Sequence, residues 1–272
     1  MNTTKIEWCD YTWNPITGCL NNCDYCYARS IANRFAGGGY GKELGMFFSK
    51  YKDNAFSPPY DLAEPHFAKT KDGWYREAPY PFGFVPTFHR YRLSEPQILR
   101  KASKVFVGSM ADCFGDWVPD EWIKTMFAAC QEAPQHVYLF LTKNPKRYES
   151  LANNGTLPKD SNFWYGTTVT DPSMPWFASY EHNVFLSIEP ILAEFKQITC
   201  NGRAPDWVIV GAITGAGSKR HHPKEEWIQT IYDDCERLAI PYFGKDSLED
   251  LCFDAASQSY PEAIAAHLEG SK

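Results

Sequence analysis

Three cysteines near the start of the chain are the residues whose type and spacing most clearly indicate chemistry. Cys19, Cys23 and Cys26 form a Cys-x3-Cys-x2-Cys pattern within the stretch GCLNNCDYCYAR. Iron–sulfur clusters are held by cysteine thiolates, normally four for a [4Fe–4S] cube. A loop with three cysteines can hold three corners of the cube and leave the fourth iron open to a small molecule. We therefore expect these cysteines to be the metal ligands of a [4Fe–4S] cluster.

Two other interpretations of the three cysteines remain open at the level of sequence. A tetrahedral zinc site needs a fourth ligand, and Cys9 is the nearest candidate, because the chain has no second Cys-x2-Cys or His-x3-His pair. The cysteines can also be plain structural residues. A disulfide framework is not expected, because the cysteines number nine and the N-terminal residues do not resemble a secretory signal.

The composition predicts a cytoplasmic protein of enzyme size. The chain has 272 residues, of which 44% are hydrophobic, so a sizeable core can form. No apolar run approaches the roughly 18 residues of a membrane span, and no membrane partner is expected. The net charge of −6 argues against a large footprint on duplex nucleic acid, although local basic stretches are present.

Short apolar runs that alternate with amphipathic stretches indicate an α/β fold. Helical patterns cover residues 119–133, 145–152 and 223–239, and each of these ranges begins at a proline. The apolar runs are continuous, which suits parallel strands covered on both faces. We take WNPITG (13–18) as the first strand and predict a partial (β/α) barrel of about six or seven units. The later runs are KVFVGS (104–109), HVYLFLTK (136–143), FWYGTTV (163–169), NVFLSIEP (183–190), DWVIVGAITG (206–215) and PYFGKD (241–246).

One region interrupts this alternation. Residues 37–88 are rich in aromatic residues, proline and glycine and are too long for an ordinary connection. We predict a single domain over 1–272 with an inserted subdomain at about 37–88.

Polar side chains that follow the predicted strands are candidates for contact with a substrate. In (β/α) barrels the active site is built at the carboxyl ends of the strands. Glu189 ends an otherwise apolar strand and needs a partner there, for which Lys143 is the expected cation. His89 and Arg90 are candidates for binding a phosphate or carboxylate. The predicted catalytic residues are Asp112, Lys143, Glu189 and Lys245.

The cysteine spacing, with Tyr25 before the last cysteine, resembles the signature loop of the radical S-adenosylmethionine (radical SAM) superfamily. More specifically, nearly the whole chain is similar to a phage-associated three-cysteine-motif family that is assigned to the radical SAM class. Many of those relatives have a longer gap between the first two cysteines, and they commonly have Gly-Gly-Glu-Ser-Gly where this chain has GAITGAG (211–217). The matching stretches are KIEWCDYTWNPITGC, PTFHRYRL, VFVGSMADCFGDWVP, LFLTKNPKRY, LSIEP, DWVIVGAITGAGSKRHHP and IPYFGKD.

The resemblance implies a mechanism and a set of cofactor contacts. S-adenosylmethionine would chelate the open iron, and one electron from the cluster would cleave it to a 5′-deoxyadenosyl radical that abstracts hydrogen from the substrate. Tyr25 would lie against the adenine, and an electron donor such as flavodoxin or ferredoxin would serve as a partner. The remaining implied cofactor-binding residues are Gly108, Ser109 and Met110 for the methionine amino group, Thr168 or Thr170 for the ribose, and Gly211, Ile213 and Gly215 for the adenine.

The sequence thus predicts a radical SAM enzyme acting on a small molecule, a nucleoside or a modified base. The alternative is a non-catalytic module in which a metal or cluster stabilises a surface that binds nucleic acid or protein. A cluster with a purely structural role gives no reason to gather four polar strand-end residues at one mouth. A third possibility, a zinc lyase or hydrolase, requires a fourth ligand near the cysteines.

Overall fold

The architecture is that of an α/β protein built on a mostly parallel sheet, as the sequence predicts. A computed structural model describes residues 1–35, 58–69, 72–200, 202–213, 222–251 and 257–271. The main sheet has eight strands in the order β1-β2-β8-β9-β10-β11-β12-β13. Only the β1–β2 pair is antiparallel within it. Its strands are β1 (Asn2–Thr3), β2 (Tyr11–Trp13), β8 (Lys104–Val107), β9 (Val137–Thr142), β10 (Phe163–Thr168), β11 (Asn183–Ile188), β12 (Trp207–Val210) and β13 (Tyr242–Gly244).

Helices follow the strands where the amphipathic patterns predict them. The acidic residues Asp120 and Glu121 lie in the first turn of the helix after β8, where they complement the helix dipole. Pro145 begins the helix after β9, where its missing N–H has no partner to lose. The described helices are α1 (Tyr27–Phe35), α2 (Glu95–Ile98), α3 (Asp120–Gln131), α4 (Pro145–Asn153), α5 (Glu225–Leu238) and α6 (Glu262–Gly270).

The two faces of the sheet bury different sets of side chains, because successive strand residues point to opposite sides. On one face, alternate residues such as Val105 and Val107 join a large core with Trp122 and Met126 of α3. On the other face, Phe106 joins a second cluster with Trp8. The remaining buried members of this second cluster are Cys9, Val137, Leu139, Trp164, Phe185, Trp207, Ile209, Phe243 and Ile264. Coverage on both faces explains the continuous apolar runs.

The predicted first strand is wrong in its bounds. The stretch 13–18 divides, because β2 ends at Trp13 and β3 (Ile16–Thr17) belongs to a separate sheet of order β3-β7-β4. Asn14 and Pro15 make the break, and the Asn14 side chain accepts a hydrogen bond from the Met110 N–H (2.8 Å). The other two strands of the small sheet are β4 (Tyr60–Leu62) and β7 (Thr87–His89).

The described part of the insertion is built from short strands. Besides the small sheet, β5 (Phe67–Lys69) and β6 (Tyr75–Glu77) pair as an antiparallel hairpin. Residues 37–57 of the predicted insertion lie outside the described residues, as do 70 and 71. Because β7 pairs with β3, the insertion is joined to the segment that precedes the three cysteines.

The sheet is open, with β1 and β13 at its two edges. Within the described ranges, no helix has the length and apolar character needed to cross a membrane.

Candidate active site

A cavity of about 280 Å³ lies at the carboxyl ends of the parallel strands. Because these ends meet at one edge of a parallel sheet, residues distant in sequence converge there. The four predicted catalytic residues all line the cavity, and so do the three cysteines. Lining residues from the strand ends are Gly108, Ser109, Asp112, Thr142, Lys143, Thr168, Ser187, Glu189 and Lys245.

The cysteine loop connects β3 to α1 and is fixed at its start by Gly18. This residue has a φ of +85°, and a Cβ at its position would lie 2.3 Å from the Val85 carbonyl oxygen, so only glycine fits. The Gly18 N–H donates to the Met110 carbonyl (2.9 Å). Asn22 adopts a φ of +54°, which asparagine tolerates better than most residues. The loop is therefore held against the segment that follows β8.

Backbone groups and burial define the environment of the thiols. The Asn21 N–H donates to Cys19 Sγ and the Arg29 N–H donates to Cys26 Sγ, both at 3.4 Å. Burial raises the pKa of Cys19 to about 12. Burial also raises the pKa of Cys23, against the opposing charges of Lys143 and Arg29. Because metal ligation requires thiolates, a bound metal group must supply positive charge to displace these protons.

Cys9, the nearest candidate for a fourth zinc ligand, does not join the other three cysteines. It is 6% exposed, donates to the Ile6 carbonyl at 3.8 Å and is not among the cavity-lining residues. Among the described residues, no three His, Cys, Asp or Glu side chains form a group that could hold one metal ion. A [4Fe–4S] cluster would take one thiolate on each of three irons, and the three cysteines that line the cavity supply that donor type and number.

Asp112 is a buried carboxylate that joins the cysteine loop to the strand ends. It is 4% exposed. Its Oδ2 accepts hydrogen bonds from Asn21 Nδ2 (2.8 Å) and the Lys143 N–H (3.0 Å). Its Oδ1 accepts from Thr142 Oγ1 (2.7 Å) and the Phe114 N–H (3.1 Å). With four donors around its carboxylate, Asp112 is suited to holding the cysteine loop against the strand ends.

The partner of Glu189 is Lys245, and the expected pairing with Lys143 is wrong. Lys245 Nζ donates to Glu189 Oε1 across the end of β12. This close approach needs Gly211, because a Cβ there would lie 2.9 Å from Lys245 Cδ and 3.4 Å from Glu189. Lys143 instead donates to the Tyr25 hydroxyl (3.1 Å). Strand order does not choose between the two lysines, because β9 and β13 each lie two strands from β11.

The residues expected to bind S-adenosylmethionine divide into two groups. Tyr25, Gly108, Ser109, Thr168 and Ile213 line the cavity. Three others do not line it: Met110 packs beneath α1, Thr170 donates to the Met174 sulfur, and Gly211 lies under the Glu189–Lys245 pair. Gly215 lies outside the described residues.

His89 and Arg90, the expected anion-binding pair, lie away from the cavity. His89 is fully buried between Thr17 and Tyr91, and burial lowers its pKa to about 2. Arg90 forms an ion pair with Asp61 (2.7 Å). Both residues therefore serve the packing of the insertion.

Several lining residues escaped the sequence analysis. Most of them lie in the cysteine loop, in the N-terminal segment or at apolar positions of strands. These residues are not themselves members of a chemical motif. Strand alternation was the available signal for Phe106 and Leu141, and adjacency to Cys26 was the signal for Tyr27. The residues missed are Ile6, Trp8, Asn21, Tyr27, Ala28, Phe84, Phe106, Ala111, Leu141, Thr142, Ser187, Pro190 and Ala212.

Comparison with known proteins identifies one family. The family described as "Protein of unknown function (DUF5131)" matches residues 3–270. No curated protein and no solved structure matches the chain.

Proposed function

The chain belongs to the DUF5131 family, and from its own site we propose that it is a radical SAM enzyme acting on a small-molecule, nucleoside or modified-base substrate. The observation that carries the proposal is the convergence of Cys19, Cys23 and Cys26 with Glu189 and Lys245 on one cavity. A purely structural metal site gives no reason for polar strand-end residues to line the same space.

The three cysteines would hold a [4Fe–4S] cluster, which when bound supplies the electron for reductive cleavage of S-adenosylmethionine. The N–H groups of Asn21 and Arg29 orient two of the sulfurs. Tyr25 and Thr168 would bind the adenosyl part of the cofactor. Phe106 and Leu141 line the cavity with apolar side chains, which would limit the water around the bound cofactor and substrate.

Glu189 and Lys245 would act on the substrate. Their side chains are 29% and 15% exposed, so they contact the cavity and little bulk water. The carboxylate accepts a proton or a hydrogen bond, and the ammonium donates one. Asp112 and Asn21 keep the cysteine loop in register with this pair, because they join the loop to the ends of β8 and β9.

The partial (β/α) barrel expected from the sequence is part of the same proposal as the radical SAM function. The parallel strands follow one another in chain order, helices lie between several of them, and the cavity lies at their carboxyl ends. These features support a sheet that curves into a partial (β/α) barrel within a single domain. A cytoplasmic setting, with flavodoxin or ferredoxin as the electron donor, is part of the same proposal.

The test is an anaerobic reconstitution of the full chain. Iron and sulfide are measured, dithionite and S-adenosylmethionine are added, and 5′-deoxyadenosine is quantified. Cys23→Ala should abolish both cluster binding and cleavage. Cys200→Ala is the matched control, because Cys200 is a free cysteine that does not line the cavity.

Two results would contradict the proposal. Stoichiometric zinc without 5′-deoxyadenosine would favour a zinc protein. A cluster that forms but leaves S-adenosylmethionine intact would favour the non-catalytic module.

A further inference from the structure

Tyr27, the first residue of α1, presents a fixed aromatic ring to the cavity. Its hydroxyl donates to the Ser109 carbonyl (2.8 Å), which sets the orientation of the ring. The residue lines the cavity and is 54% exposed. An aromatic ring held at its polar end and open on its surface is suited to stacking against a planar ligand.

The Glu189–Lys245 pair lines the same cavity of about 280 Å³ as Tyr27. In a space of this size, a planar ligand that lies on the Tyr27 ring has the ion pair within its reach.

Counted over the described residues, the ion pair leaves hydrogen-bonding capacity unused. The bond from Lys245 uses one of three ammonium protons and one of the two Glu189 oxygens. A carboxylate acceptor and an ammonium donor thus lie side by side. This arrangement matches a ligand edge on which an N–H is adjacent to a carbonyl oxygen.

The rest of the cavity selects against other ligand classes. Phe106, Leu141 and Trp8 make part of the wall apolar. A purely apolar ligand would leave the ion pair buried without further partners, which costs free energy. A phosphate would meet the negative charge of Glu189. A flat heterocycle with one polar edge satisfies both kinds of wall.

We propose that this compartment binds the nucleobase of the substrate, stacked on Tyr27, with a base N–H donated to Glu189 and the adjacent carbonyl accepting from Lys245. This inference rests on the proposed function, because it assumes that the nucleobase belongs to the substrate of that enzyme. It then specifies the chemical class of the substrate. Guanine, uracil and thymine present this edge as a ring N–H beside a carbonyl oxygen. Adenine and cytosine present an amino N–H beside a ring nitrogen, which the same carboxylate and ammonium can bind, so the competition with adenosine below is part of the test.

The experiment measures nucleoside binding to the iron-free full chain by isothermal titration calorimetry. Guanosine and uridine are compared with 1-methylguanosine and 3-methyluridine, which lack the N–H. At least one parent nucleoside should bind, and its methylated form should bind about tenfold or more weakly, because a site built around a hydrogen bond rejects a ligand without it. This comparison uses the unaltered protein and needs no variant to fold.

Single substitutions then test whether the nucleoside binds in this compartment. Glu189→Gln and Tyr27→Leu should each weaken binding about tenfold, with folding checked by circular dichroism. Glu194→Gln is the matched control, because Glu194 is exposed and does not line the cavity. Absence of nucleoside binding, equal binding of the methylated forms, or equal loss in the control variant would overturn the inference.

A competition experiment separates the substrate from the cofactor, which also contains a purine. Adenosine and S-adenosylmethionine are added to the protein with the nucleoside bound. Retention of the nucleoside supports the assignment, and its displacement at equal concentration overturns it. Because all binding is measured without iron, failure of the cleavage assay with nucleoside binding intact would reject the radical SAM proposal alone.

Discussion

At the scale of the residue, the carboxylates of the site have different tasks that their hydrogen bonds reveal. Asp112 accepts four hydrogen bonds within the protein and is almost completely buried. Glu189 has one ion-pair partner and contacts the cavity. Both are predicted catalytic residues because each follows a strand. The hydrogen bonds of Asp112 favour a positioning task, and for Glu189 we propose contact with the substrate.

Replacement of Asp112 tests its positioning task. Asp112→Asn places an amide NH₂ opposite two donors, so at least two hydrogen bonds are lost in a buried site. We expect the free energy of unfolding to fall by about 2–4 kcal/mol, as measured by urea denaturation.

Asp116→Asn is the control for this substitution. Asp116 is exposed and its carboxylate accepts a single bond from Asn144 (2.8 Å). Its replacement should cost less than about 1 kcal/mol. Equal effects of the two substitutions would contradict the positioning task.

At the scale of the element, β7 links the insertion to the segment before the cysteines. His89, at the end of β7, accepts from the Thr17 hydroxyl at Nε2 (2.8 Å) and lies 3.1 Å from the Tyr91 hydroxyl at Nδ1. The Tyr91 hydroxyl in turn donates to Glu77 (3.1 Å). These roles fit a neutral imidazole with its proton on Nδ1. A neutral, buried histidine makes this junction sensitive to acid.

The free energy of unfolding should decrease as the pH is lowered, because His89 is buried in its neutral form. Burial lowers its folded-state pKa from 6.5 to about 2. Between these values the unfolded chain binds one more proton, so stability is full above pH 6.5 and decreases as the pH falls below it. From pH 6.5 to 4.5 the loss from this group amounts to roughly 2 kcal/mol.

Urea denaturation at three pH values between 6.5 and 4.5 measures this loss. His136 and His182 also have pKa values lowered by burial and contribute in the same direction. The informative quantity is therefore the difference in slope between the wild type and His89→Gln. A variant with the same pH dependence as the wild type would show that His89 is not responsible.

At the scale of the whole molecule, the two ends of the chain meet beside the sheet. The Asp246 N–H donates to Glu7 Oε2 (2.7 Å), and the Tyr260 hydroxyl donates to the Glu7 carbonyl (3.2 Å). Trp8 packs against Phe106, with ring centroids 4.6 Å apart, and is 2% exposed. The N-terminal segment therefore covers one face of the sheet and forms part of the cavity wall.

Trp8→Ala should destabilise the molecule and enlarge the cavity. Loss of a buried tryptophan side chain costs about 3–5 kcal/mol, which urea denaturation measures. Trp74→Ala is the control, because Trp74 is 73% exposed and should cost less than about 1 kcal/mol. Similar losses in both variants would show that Trp8 does not hold the N-terminal segment on the sheet.

Sequence patterns predict the parallel strands from β8 to β13, the helices α3, α4 and α5, and the set of strand-end residues. These follow from local signals, since continuous apolar runs, prolines at helix starts and acidic first turns act within a few residues. The cysteine motif is also local, and its three members line one cavity. The α/β class is confirmed on the same grounds.

The partners of these residues depend on packing between segments that are distant along the chain. Lys143 and Lys245 follow strands that each lie two places from β11, and Glu189 pairs with Lys245, which approaches it over Gly211. The break of the first strand at Asn14 and the burial of His89 depend on segments that approach from elsewhere in the chain. The stacking surface of Tyr27 likewise exists because the Ser109 carbonyl, far away in sequence, fixes its hydroxyl. Local patterns in the sequence indicate which residue types follow each strand. The contacts that these residues make depend on the packing of segments that are distant along the chain.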